Sequence, residues 1–149
     1  MKEIYQATEG IFESYGFSPL ETPAVERIET LMGKYGEEGN QLVFKILARG
    51  EGGKRGQCDL ALRYDLTAPL ARYVAKNFNI ISKPFKRYQL GTVWRNEKPG
   101  PGRYREFLQF DADYVGTKNL QADAELCVLI SEILEMCALS NKYYTVKST

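Results

Sequence analysis

The sequence predicts an α+β fold, and three observations carry that prediction. Apolar residues recur first at helical spacing and later in strict alternation, helices are followed by antiparallel hairpins, and a Lys-Pro-Gly-Pro-Gly core (98–102) separates two long alternating stretches. At 149 residues the chain suits one domain with a real core, and no repeat, low-complexity tract or internal linker interrupts it.

The elements follow in order. Ile4, Thr8, Ile11, Phe12 and Tyr15 place a helix over 2–15, and Gly16 is a fitting C-terminal residue because it tolerates positive φ. Phe17–Thr22 reads as a strand halted by Pro23, which cannot donate to a ladder. A second helix is expected from about Val25 to Lys34, ending near Gly36. Leu42–Leu47 and Cys58–Arg63 read as antiparallel strands joined by a mobile Gly-rich tip at 49–57, which lacks the strand–GxxxxGK[ST]–helix context of a P-loop. Leu66–Asn77 reads as a helix, with Leu66, Leu70, Tyr73 and Val74 on one face and Pro69 in its first turn. Lys86–Arg95 and Glu106–Val115 alternate as strands do around a loop at 96–105. A helix over 121–139 turns Leu126, Ile130, Ile133, Leu134 and Cys137 inward, and Lys142–Val146 starts another strand.

Composition excludes several chemistries. There is no histidine, so imidazole acid/base catalysis and the commonest metal ligand are both absent. Cys58, Cys127 and Cys137 have neither metal-ligand spacing nor an even number for disulfides, and read as free thiols of a reducing compartment. No signal peptide or membrane span is expected: 1–16 is amphipathic and charged, and Leu126–Leu139 is broken by Ser131, Glu132 and Glu135. A soluble, cytoplasmic protein is the expectation. Net charge is only +1, so any anion recognition must be local. It is: Lys83, Lys86, Arg87, Arg95, Lys98, Arg103 and Arg105 face only Glu97 and Glu106 between positions 83 and 106.

The stretch from Lys86 to Asp113 therefore reads as a nucleotide-binding hairpin. Arg95, ending the incoming strand, can present a bidentate guanidinium to phosphate. Glu97 shares its face by period two and can accept from an adenine amino group or orient an arginine. Pro99–Gly102 form a loop able to open and close over a nucleotide, bringing Arg103 or Arg105 to the terminal phosphates. Phe107, Gln109, Asp111 and Asp113 lie on one face of the return strand, an aromatic for a base followed by polar groups for a second ligand. A salt-bridged surface hairpin with Phe107 in the core is the competing reading, which composition alone favours slightly. At the strand-to-helix junction Leu62–Pro69, either Asp65 or Thr67 can be an N-cap, worth roughly 1 kcal/mol. The pair can instead bind the ammonium of an amino acid.

Arg95-Asn-Glu97 followed by Gly102-Arg-Tyr-Arg-Glu-Phe-Leu-Gln109 resembles motif 2 of the class II aminoacyl-tRNA synthetases, in detail that of the histidyl-tRNA synthetase family. Helix 2–15, strand 17–22 and Pro23 resemble motif 1, the dimerisation element. Leu62-Arg-Tyr-Asp-Leu-Thr67 resembles the family's substrate-binding segment, and Leu31-Met-Gly-Lys-Tyr-Gly36 its eukaryotic-like branch. The resemblance covers nearly the whole chain and implies an antiparallel class II sheet flanked by helices. It implies activation of L-histidine by ATP to histidyl-adenylate, transfer to tRNA(His), and a homodimer through residues 2–23. By position, Arg95 would hold the ATP α-phosphate and the substrate carboxylate, Glu97 the adenine amino group and Arg103 the γ-phosphate, with Phe107 stacked on adenine. Gln109 and Asp113 would contact histidine, with Asp65 and Thr67 at its α-amino group. Asp65 and Asp113 stand where many bacterial members carry glutamate, which shortens their reach. Mg²⁺ would bridge phosphate oxygens, with no protein side chain assigned as its ligand.

Motif 3, the histidine-specific arginine segment and the anticodon-binding domain do not occur in the sequence. Residues 1–149 are thus expected to be a truncated, partial catalytic domain carrying motifs 1 and 2. Two other readings stand beside this one: the catalytically inactive paralogue that serves as regulatory subunit of ATP phosphoribosyltransferase, and a non-enzymatic RNA-binding module.

Overall fold

The structure is a computed structural model that describes residues 2–32, 41–139 and 144–146. The chain divides into two compact units, the first formed by Met1–Leu20, Ser82–Tyr88 and Ala112–Thr149, the second by Glu21–Ile81 and Gln89–Asp111.

In the first unit, helix α1 (Lys2–Ser14) buries Thr8 and Phe12 four residues apart. It ends as its sequence requires. Gly16, at φ 79°, lets its own N–H reach the Glu13 carbonyl (2.9 Å) and the Phe17 N–H reach that of Phe12 (3.0 Å), satisfying two terminal carbonyls. Strand β1 (Ser18–Pro19) pairs in parallel with Arg87 and Tyr88. It is shorter than the expected 17–22, because Pro19 has no N–H to extend the ladder and only the Leu20 N–H continues it, to the Tyr88 carbonyl at 3.1 Å. The core is aromatic. Phe12 stacks on Tyr88 at 5.3 Å and meets Phe17 at 5.8 Å, while Phe17 meets Tyr114 edge-on at 5.3 Å. Burial of each such phenylalanine contributes roughly 1.5–3 kcal/mol.

The last helix of this unit, α5 (Leu120–Met136), is capped by Asn119, whose side chain accepts the Gln121 N–H at 3.0 Å. Its fully buried residue is Leu129, not the expected Ile130, which is 44% exposed. One residue is a 100° rotation on a helix, enough to carry a side chain from the packed face to solvent. Leu126, Ile133, Leu134 and Cys137 are half-buried. Of the expected strand at 142–146, residues 142–143 lie outside the described residues and 144–146 have no regular structure.

The second unit contains an antiparallel sheet of order β2-β4-β3, formed by β2 (Val25–Arg27), β3 (Lys45–Leu47) and β4 (Cys58–Leu62). Two helices, α2 (Ile28–Met32) and α4 (Thr67–Asn77), pack with it around Leu31, Val43, Ala61, Tyr64 and Ala68. The expected helix over 25–34 is here a strand followed by a short helix, and positions 33–40, including its expected end, lie outside the described residues. Pairing with β4 overrides helical propensity: Glu26 turns inward to an ion pair with Arg72 (2.7 Å), while Val25 and Arg27 turn out. The expected loop tip at 49–57 holds a helical turn, α3 (Glu51–Lys54), closed by the Gln57 N–H on the Gly52 carbonyl. Gly53 permits it, since a Cβ there would sit 1.9 Å from the Ala48 carbonyl oxygen.

The two longest strands, β5 (Phe85–Trp94) and β6 (Glu106–Val115), fall where alternation placed them and complete a sheet of order β1-β5-β6. Among the described residues no helix is long and apolar enough to cross a membrane. The mixed architecture, with an antiparallel sheet and five helices among the described residues, matches the α+β expectation.

Candidate active site

The candidate site lies in the second unit, at the end of β5 and the start of β6. A cleft of about 270 Å³ is lined by Arg95, Glu97, Gly102, Arg103, Tyr104 and Phe107. Its floor follows from strand geometry. The Arg95 N–H donates to the Arg105 carbonyl (2.9 Å), so the strands stay paired up to the loop, and side chains two apart share a face. The tip turns at Pro101-Gly102, where Gly100 and Arg103 exchange backbone hydrogen bonds of 3.1 and 3.0 Å.

Arg95 is held on three sides. Its Nε donates to the Tyr64 carbonyl at 3.0 Å, its Nη2 to Gln109 Oε1 at 3.3 Å, and its guanidinium lies 5.1 Å from the centre of the Phe107 ring. The side chain is thus ordered before any ligand arrives, so less conformational entropy is lost on binding. Arg103 reaches Glu97 at 3.3 Å, with 70% of its side chain exposed against 23% for Glu97, so this pair is worth little and can exchange for a phosphate. Arg105, which is not among the lining residues, donates from Nε to the Glu97 carbonyl at 3.0 Å.

Asp65 and Thr67 stand where β4 leads into α4. Of the two capping candidates, Asp65 makes the bond: its Oδ1 accepts the Ala68 N–H at 3.0 Å, and the residue is buried. The Tyr64 carbonyl beside it is the acceptor that fixes Arg95, so this junction and the Arg95 side chain are tied directly.

Not all of the expected basic cluster belongs to this cleft. Lys86 and Arg87 are in the first unit and are neutralised there. Lys86 donates to Glu125 (2.6 Å) and to the Tyr15 carbonyl (2.8 Å), and Glu125 also accepts from Tyr114 (2.5 Å). Those hydrogen bonds, chiefly the one from Lys86, hold the Glu125 carboxyl below the ordinary range. Burial pulls the Lys86 ammonium down, but its bonds to Glu125 and Tyr114 outweigh this and raise it. Asp113, also in the first unit, lies 2.8 Å from the wholly buried Arg87 guanidinium.

By sequence, Asp111 stands among the polar groups for a second ligand without a named partner, and Arg63 has no role of its own. Asp111 accepts from Gln109 Nε2 with both oxygens, at 3.0 and 3.1 Å, and its period-two spacing from Gln109 was the available signal. Arg63 is buried, donating from Nη1 to the Thr22 carbonyl (2.6 Å) and from Nε to the Thr92 carbonyl (2.9 Å). Burial lowers its pKa, opposed by Glu21 and Glu26. A charged residue just past the end of β4 carries no sequence mark of burial, because the space for it is made by Gly91 on β5.

The family model described as histidyl-tRNA synthetase matches residues 1–146. Among curated proteins, a histidine–tRNA ligase from Rhizobium leguminosarum bv. trifolii is 47% identical over 140 residues, covering 92% of this chain and 26% of that protein. The chain thus spans about a quarter of the length of such relatives. The crystal structure of histidyl-tRNA synthetase from Nostoc sp. PCC 7120 superposes with a TM-score of 0.72 at 38% identity, over 90% of this chain and 29% of that one. A structure from Bacillus halodurans described as an ATP phosphoribosyltransferase regulatory subunit/histidyl-tRNA synthetase gives 0.76 at 27% identity, over 93% and 34% respectively.

Proposed function

The chain belongs to the histidyl-tRNA synthetase family, and from that premise we propose that it supplies the motif 1 and motif 2 part of a catalytic domain that activates L-histidine with ATP. In this reading residues 1–149 are a partial catalytic domain of a longer, cytoplasmic protein. That protein transfers the activated amino acid to tRNA(His) and dimerises through residues 2–23.

The observation that carries the proposal is the immobilised Arg95 in a cleft that also holds Glu97, Arg103 and Phe107. The reaction is in-line attack of the histidine carboxylate on the ATP α-phosphorus. The carboxylate oxygen–phosphorus bond forms, the bond to pyrophosphate breaks, and histidyl-adenylate results, which then esterifies the tRNA. No protein nucleophile or proton relay is required, in keeping with a chain that has no histidine. Rate is gained from positioning and from charge stabilisation at the pentacoordinate phosphorus. Arg95 spans the α-phosphate and the incoming carboxylate, bringing two mutually repelling anions together. Glu97 accepts from the adenine amino group, Phe107 stacks on the base and Arg103 leaves Glu97 for the γ-phosphate. Asp65 and Thr67 take the α-ammonium and Gln109 the amino acid. Asp113 is assigned to the same amino acid by its place in the motif. Among the described residues no three carboxylate or thiol groups come together to hold a cation, so they form no protein cage for Mg²⁺ and no step is assigned to it here.

The test is histidine-dependent ATP–pyrophosphate exchange by the full-length protein. Exchange is expected, and a protein that binds ATP yet shows none would overturn the proposal. The regulatory-subunit reading predicts no exchange and tolerates loss of the ATP-gripping residues, so the presence of Arg95, Glu97, Arg103 and Phe107 favours the enzyme. RNA binding with steep salt dependence and no ATP binding would instead support the RNA-binding reading.

A further inference from the structure

The cleft's arginine is not held by Gln109 alone, because Gln109 is itself held. Its Nε2 lies 3.0 and 3.1 Å from the two oxygens of Asp111, while its Oε1 accepts from Arg95 Nη2 at 3.3 Å. Asp111, Gln109 and Phe107 lie on one face of β6 by strand periodicity, and all three are half-buried. A glutamine amide is two-ended: a half-turn about its last torsion replaces an acceptor with two donors. An anion arriving at Arg95 attracts the NH₂ end, and such a turn would set two donors against the guanidinium.

We propose that Asp111 is a positioning residue that acts through the Gln109 amide to keep the Arg95 guanidinium aimed into the cleft. The carboxylate anchors the NH₂ end away from Arg95, so the carbonyl end stays on Nη2. The remaining guanidinium N–H groups are thereby reserved for the bound anions. Asp111 itself makes no contact with substrate. This inference rests on the reading of Arg95 as the anion-binding side chain.

The experiment compares wild type, Asp111→Ala, Asp111→Asn, Gln109→Ala and the Gln109→Ala/Asp111→Ala double variant in the full-length protein. It reads histidine-dependent ATP–pyrophosphate exchange together with thermal midpoints. Asp111→Ala is expected to lower kcat/KM about 10- to 100-fold. Asp111→Asn, whose carbonyl still accepts from Nε2, should restore activity to within a few-fold of wild type. In the Gln109→Ala background, Asp111→Ala should cause no further loss, the non-additivity of residues acting in series. Additive losses would show that Asp111 acts independently of Gln109, and activity that falls only in step with the thermal midpoint would show a merely structural role. Either result overturns the inference, as does an Asp111→Ala enzyme within twofold of wild type. Should Asp111→Ala not fold, Asp111→Thr takes its place in the same cycle. A wild type without exchange defeats the proposed function and this inference with it, whereas an active wild type with a flat Asp111 series defeats this inference alone.

Discussion

Replacing Gly91 with alanine tests the packing behind the site. A Cβ at position 91 would lie 2.6 Å from Arg63 Nη2, 3.3 Å from its Cζ and 3.2 Å from Leu66 Cδ2. An arginine tip normally swings aside cheaply, but this one is buried and fixed by bonds of 2.6 Å to the Thr22 carbonyl and 2.9 Å to the Thr92 carbonyl. Leu66 is wholly buried and has nowhere to go. Relieving the clash requires a shift on the order of 1 Å, the cost of overpacking a core by a methyl group, about 1–3 kcal/mol. Loss of one charge-assisted hydrogen bond gives a similar figure, about 1.5–3 kcal/mol. These are two views of one event and do not add. Alanine also restricts the unfolded chain, which offsets about 0.4–1 kcal/mol of this cost. A net loss of about 1.5 kcal/mol corresponds to a fall in Tm of roughly 3–6 °C for a chain of this length. Circular dichroism melts measure it directly. Gly10→Ala is the control: it lies within α1 with nothing within 4 Å of its added Cβ, and should raise Tm by a few degrees, from a gain of about 1 kcal/mol. A Gly91→Ala protein that melts with or above wild type would refute the account of Arg63 as an immobile buried group.

Three other outcomes are expected. Arg95→Ala should abolish adenylate formation in the full-length protein while Lys98→Ala, in the exposed loop, is mild; equal losses in pyrophosphate exchange would mean that the anchor is misassigned. Asn119→Ala removes the bond to the Gln121 N–H and should cost about 1 kcal/mol in urea denaturation, with Asn119→Ser recovering most of it. Burial, and then the hydrogen bond to Glu13, push the Tyr88 hydroxyl up to about 12. A raised tyrosine favours the protonated form in the folded state. Its stabilisation is therefore complete below pH 10 and is lost as pH rises from 10 towards 12. Tyr88→Phe should flatten the fall in stability across that window, and an unchanged slope would contradict it.

The long periodic elements were legible from the sequence alone. Helix α1 with its Gly16 terminus, helix α4, the start of α5, and strands β5 and β6 were placed within a residue or two, because each repeats its pattern over several turns or pleats; α5 ends at Met136, three residues before the expected Leu139. The short ones were not. Val25-Glu-Arg27 carries too few residues to distinguish a strand from the first turn of a helix, and its state was settled by pairing with β4 and by the Arg72 partner of Glu26. The turn at Glu51–Lys54 was hidden by its glycines, which signal a flexible tip by composition but here admit close packing on Ala48.

The same division runs through the candidate site. The sequence by itself determined the α+β class, the family resemblance and the residues of the hairpin, since motif spacing along two strands fixes which side chains share a face. Only the tertiary structure decided what holds them. The acceptor for Arg95 is a backbone carbonyl at Tyr64, 31 positions away, and a carbonyl has no residue identity to read. The buried Arg63 depends on a glycine in β5, and the basic cluster is divided because Lys86 and Arg87 find Glu125 and Asp113. Which charge meets which partner depends on distances between segments remote in sequence, and those exist only once the chain has folded.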